Sequence, residues 1–149
     1  MDWGNIAFAG LAATAVMTIL MYAGRAMGMQ MDMPRMLGLM FAGPGSGGVV
    51  YGLGLMMHFM MGIAFAVVYT LLFDAFGVNA SWLWGGAFGA AHGVIAGMAM
   101  TMMPVMHPRM GAGEMLAAPG PFGVNYGSMV PLGIIMLHVV FGAVVGMIV

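Results

Sequence analysis

Four long stretches of this chain carry no charged side chain: Trp3 to Gly24, Met36 to Phe73, Ala75 to Pro108, and Met115 to Val149. Nothing else constrains the fold as strongly. A water-soluble helix or sheet sets an apolar face against a charged or strongly polar one, and these stretches have no such second face. The 149 residues hold three Lys or Arg and four Asp or Glu, namely Asp2, Arg25, Asp32, Arg35, Asp74, Arg109 and Glu114, against 63% hydrophobic residues. That balance excludes a disordered tail, and a net charge of -1 gives a nucleic acid nothing to hold. With no Cys in the chain, disulfides, thiolate metal sites and cysteine nucleophiles are excluded as well.

A bilayer core about 30 Å thick is crossed by roughly 20 apolar residues in helix, and inside it only helices and closed barrels satisfy their own backbone. A barrel needs strands of alternating apolar and polar residues, which are absent here. Four segments qualify as spanning helices: residues 4–24, 48–73, 81–103 and 131–149. The expected fold is therefore all-α, a single polytopic membrane domain built as a four-transmembrane-helix bundle, with interfacial loops at 25–47 and 104–130. The first segment has no basic start and is long enough to span, so it is expected to remain as a helix rather than serve as a cleaved signal peptide. A tight turn is expected over Asp74 to Asn79, followed by Ser81 as N-cap and by Trp82 and Trp84 as interfacial anchors, with Trp3 at the same side. The match of Asn79-Ala-Ser81 to a glycosylation acceptor is read as part of this capping turn. All three Arg fall in the two longer loops, Asp32 and Glu114 partly offsetting them; the positive-inside rule then places these loops in the cytoplasm and the protein in a bacterial inner membrane.

In lipid, helices associate by close backbone approach, and small residues four apart mark the contact. Gly85, Gly89, Gly93 and Gly97 form such a row, as do Gly54, His58, Gly62 and Ala66, then His138, Gly142 and Gly146, and finally Gly10, Thr14 and Thr18. Each row is expected to face another helix, and Gly89→Leu to cost on the order of 1–3 kcal/mol by overpacking. The two halves also look related. Superposing His58 on His138 brings Met56 onto Met136, Gly62 onto Gly142 and Ala7-Phe8 onto Ala87-Phe88, which suggests two repeated helical hairpins about an axis along the membrane normal.

His58, His92 and His138 lie near the middle of three of the helices, where an ionisable residue normally faces the bundle interior and marks a functional candidate. One reading is interhelical hydrogen bonding by neutral imidazoles. Another is convergence of two or three of them on a metal ion, or on a haem b iron with His58 and His138 as the axial pair and the neighbouring glycines making room for the porphyrin.

The loop after the first helix opens with Met27, Met29, Met31, Met33 and Met36, a run in which thioethers alternate with other residues and which suits Cu(I). A second cluster, Met98 to Met110 with His107, follows the third helix; if the loops meet, one Met-rich surface with His107 results. The competing reading is an interfacial amphipathic helix begun by Pro34 and carrying Met36, Leu37, Leu39 and Met40 on the bilayer surface. Gly43-Pro-Gly-Ser-Gly47-Gly48 has neither the preceding strand nor the Lys of a phosphate loop and reads as a flexible entry to the second span. No nucleophile set or paired carboxylates appear, so no enzymatic activity is expected of the chain alone.

With Ala13 to Thr18, Leu55 to Gly62, Trp84 to Gly93 and Leu137 to Gly142 as its helix cores, the chain resembles bacterial four-helix integral membrane protein families of unknown function. Residues 27–36 resemble the methionine motifs of copper-handling proteins. The first resemblance implies the fold and no activity. The expected role is a small accessory or structural subunit of a larger membrane complex, in contact with lipid and with other membrane subunits or a second copy of itself. Binding or transfer of copper, and binding of haem b, are the alternatives.

Overall fold

A computed structural model describes residues 1–113 and 117–149. Glu114 therefore lies outside the described residues. Every regular element among the described ones is helical: α1 (Trp3–Ala26), α2 (Met33–Leu39), α3 (Gly47–Phe76), α4 (Trp82–Ala99), α5 (Met103–Met106), α6 (Pro108–Gly111) and α7 (Val130–Ile148), with 3-10 turns at Met100–Met102 and Pro121–Tyr126. Four helices are long and apolar enough to cross a membrane, Trp3–Ala26, Gly47–Phe76, Trp82–Met106 and Val130–Ile148. The chain is thus a multi-pass membrane protein with the four-helix architecture its uncharged stretches require.

Helix starts follow the expected chemistry. Asp2 accepts from the Asn5 amide and Ser81 from that of Trp84, so both fill the N-cap position of a span. The turn after α3 is tighter than expected, because the helix continues through Asp74 to Phe76 and closes on Gly77 in the left-handed region, φ 63°. At 30 residues α3 is about 45 Å long, well beyond a bilayer core. Its first turns pack against α2.

The glycine rows act as the spacing predicts, with one exception. A Cβ on Gly85 would overlap the Gly142 carbonyl, one on Gly89 would overlap the His138 carbonyl, and one on Gly93 would sit 2.8 Å from the Ile135 Cα. Gly10 meets Ile63 and the Gly62 carbonyl in the same manner. Gly146 faces the Ser81 carbonyl. The exception is Gly97, which faces no helix. The ring of Phe122 lies over it, with Phe122 itself in the left-handed region, φ 53°.

Packing runs α3, α1, α7, α4, and α3 touches α4 hardly at all. The two hairpins α1/α3 and α4/α7 do share a glycine-based crossing. Their register differs from the proposed repeat, however. Where Gly62 matches Gly142, Gly10 occupies the place of Gly85, so Ala7-Phe8 does not fall on Ala87-Phe88. A strict twofold relation would also make α3 pack on α4 as closely as α1 packs on α7, and the α3–α4 contact is far slighter.

The loops at the α7 N-terminal end form a folded cap. Asp32 is the N-cap of α2, accepting from the Arg35 amide at 3.0 Å; its other oxygen pairs with Arg25 at the end of α1 and accepts from Tyr51 of α3 at 2.8 Å. The far end of α2 is held by Arg109, whose Nε donates to the Leu39 carbonyl at 2.9 Å. Gly38 and Gly54 let α2 lie backbone to backbone on α3, over the carbonyls of Val50 and Pro34. Residues Pro34, Met36, Leu37, Gly38 and Leu39 are all buried. The amphipathic helix expected on the bilayer surface is therefore a packed part of the protein.

Candidate functional site

Because α3 and α4 stand apart, a cavity of about 660 Å3 opens between them, floored by α1 and α7. The exposed Met61, Val68 and Phe76 on one side and Ile95 on the other form its lips. All three membrane histidines reach it. His58 comes from α3, His92 from α4 and His138 from α7, and His138 is within electrostatic reach of the other two rings. The His92 and His138 rings meet edge to face with centroids 4.5 Å apart, and Phe65 packs 4.2 Å from His92.

Hydrogen bonding fixes what each imidazole can offer. Nδ1 of His138 lies 2.7 Å from the Ile134 carbonyl and must donate to it, which leaves Nε2 with a lone pair. Nδ1 of His92 is 3.2 Å from the Tyr69 hydroxyl. Nε2 of His58 is buried and has no hydrogen-bond partner at all, although the residue is only 7% exposed. An unpaired polar atom in such a position costs about 1–3 kcal/mol, a penalty that a bound partner would remove.

The sequence-based site residues separate into three groups. His58, His92 and His138 share the cavity, yet no three His, Asp or Glu among the described residues are arranged to hold one ion. A three-histidine metal centre is therefore not formed. The glycines expected to admit a porphyrin are already in use, because Gly62 is filled by Thr14 and Gly10, and Gly142 by Gly85 and the Tyr69 ring.

His107 is the second group. It is fully buried in the cap, its Nε2 donating to the Met36 carbonyl at 3.0 Å while its Nδ1 accepts from the Met110 amide at 3.4 Å. Both nitrogens are thus occupied in pinning α6 to α2, and neither is open to a metal. The two methionine clusters do meet, but as a core rather than a surface: Met31, Met36, Met100 and Met110 are buried together with Met21, and three of these, Met21, Met31 and Met100, also edge the cavity.

The loop methionines are the third group and divide among themselves. Met27 is 86% exposed, Met29 packs against Gly24 and Gly133, and Met36 is core. Met31 and Met33 line the cavity, together with Met17, Met21, Met61, Met100, Met103 and Met106. Eight of the 26 lining residues are therefore Met, against 23 in 149 for the chain. The sulfur is concentrated at the cavity about twofold, an enrichment that becomes visible only when the helices are in place.

Comparison of the chain with models of known families, with curated proteins and with solved structures gives no match. The functional reading rests on the cavity itself.

Proposed function

We propose that this protein is a non-enzymatic membrane subunit whose α3–α4 cavity binds a small ligand. The observation that carries this reading is an otherwise apolar cavity of about 660 Å3 on which His58, His92 and His138 converge, His58 with a buried Nε2 that has no partner. Such volumes, apolar walls and a few converging polar groups are the usual features of a ligand site. A purely structural subunit has no need of an orphaned imidazole. Arg25, Arg35 and Arg109 at the cap end support, by the positive-inside rule, a cytoplasmic cap on a bacterial inner-membrane protein. Other membrane subunits or a second copy are the partners that its lipid-facing helices would meet.

Haem b is the less favoured occupant, because the space beside Gly62 and Gly142 is closed by helix contacts. The test is a native mass spectrum of protein released from its own membranes in mild detergent. The wild type is expected to carry a bound ion or molecule that is lost in Ala96→Phe, a substitution that projects a ring into the cavity. Bare chain mass for the wild type would overturn the reading.

A further inference from the structure

We propose that the ligand is a soft monovalent cation, Cu(I), held by the Nε2 atoms of His58 and His138 together with a thioether from Met17 or Met61. This rests on the cavity being a ligand site, and it names the class of ligand.

The donor inventory makes the selection. The described side chains facing the cavity that can ligate are imidazole, thioether, one phenol and one hydroxyl, with no carboxylate or amide among them. Mg2+ and Ca2+ require several oxygen ligands, which are missing. A divalent ion such as Zn2+ would be stripped of water in an apolar space with no anionic ligand to balance it, a steep cost. Cu(I) carries one charge, prefers soft neutral donors and is satisfied by few of them.

Two details at the imidazoles point the same way. His138 has its Nδ1 proton tied to a backbone carbonyl, which is the arrangement that orients metal-binding histidines and leaves Nε2 as ligand. His58 offers the one buried side-chain nitrogen among the described residues that lacks a partner.

The methionines add further soft donors. Met17 and Met21 are a turn apart on α1, and the packing of Thr14 over Gly62 brings Met17 to the level of His58 on the antiparallel α3. From there Met21, Met31 and Met33 continue to the cap, where Met106 is 61% exposed. The excess of Met over the expected Leu in these walls supplies soft donors beside the imidazoles, beyond filling space.

The experiment titrates the full-length purified protein with Cu(I) under reducing conditions against a chromogenic Cu(I) chelator, and reads the first shell by X-ray absorption. One ion per chain is expected, with nitrogen and sulfur scatterers. His58→Ala or His138→Ala should weaken it by about 100-fold, and Met17→Leu with Met61→Leu by about 10-fold. His58→Gln, which keeps a polar group of similar reach, and a thermal scan of each variant separate lost binding from lost fold. Met27→Leu, exposed and outside the cavity, should change nothing. No Cu(I) uptake, an oxygen-only shell, or wild-type affinity in both His variants would overturn the metal assignment. If the protein then carries an organic molecule lost in Ala96→Phe, the cavity reading survives without copper; if it carries nothing, both fall.

Discussion

Gly89→Leu is expected to separate α4 from α7 and to cost about 3 kcal/mol, the upper end of the overpacking range, because what it strikes is backbone. A Cβ alone at Gly89 would already overlap the His138 carbonyl and stand 2.8 Å from the Val139 Cα. Neither atom can turn aside as a side chain could, so the helices must part along their whole crossing. Gly85→Leu should behave alike against the Gly142 carbonyl. Gly52→Leu is the control: it sits on α3 with open space where its Cβ would be, and should stay within about 0.5 kcal/mol. Unfolding by SDS titration from mild detergent micelles measures all three. Equal losses at Gly89 and Gly52 would show that the glycines matter for helix flexibility and not for contact.

Asp32→Ala is the second large effect, about 2–3 kcal/mol, with loss of the cap structure before loss of the spans. The substitution removes the N-cap of α2 and leaves the Tyr51 hydroxyl without its acceptor. The pair with Arg25 contributes less to this sum, because the Arg25 side chain is 36% exposed and water can take over its charge. Asp32→Asn keeps an oxygen for the Arg35 amide and should recover about 1 kcal/mol. Limited proteolysis of the 27–46 segment reads the cap, and the SDS titration reads the bundle. A uniform loss in both would mean that cap and bundle unfold as one unit.

The spans were legible because hydropathy is a local property, and so were the helix contacts, since a glycine every four residues has few other uses in lipid. Ser81 announced its helix in the same local way. The cap was not legible. Arg25, Asp32, Tyr51, His107 and Arg109 are isolated in the sequence, and only the fold makes them one network. The single local signal was Asp32 ahead of Pro34, a capping residue followed by a proline that suits the first turn of a helix.

The cavity lay further from view, because it arises where α3 and α4 meet only through a few side chains and not backbone to backbone. The His-x3-Gly coincidence at His58 and His138 suggested two matching hairpins, and matching hairpins would have closed α3 on α4. The shifted register of α1 relative to α4 and the rings of Phe65, Tyr69 and His92 between the walls accompany the opening. The methionine run likewise drew attention to residues 27–36 as a unit. The fold divides that run, sending Met31 and Met33 to the cavity, Met36 to the core and Met27 outward.

The most direct test of a ligand at the cavity is the nitrogen-15 spectrum of the His58 imidazole, recorded on protein in its native membrane before and after the ligand is stripped. The Nε2 resonance should lie away from that of a neutral, unbonded imidazole nitrogen at first and move to that position on stripping. A free-nitrogen resonance in the native membrane, unchanged by stripping, would contradict the account.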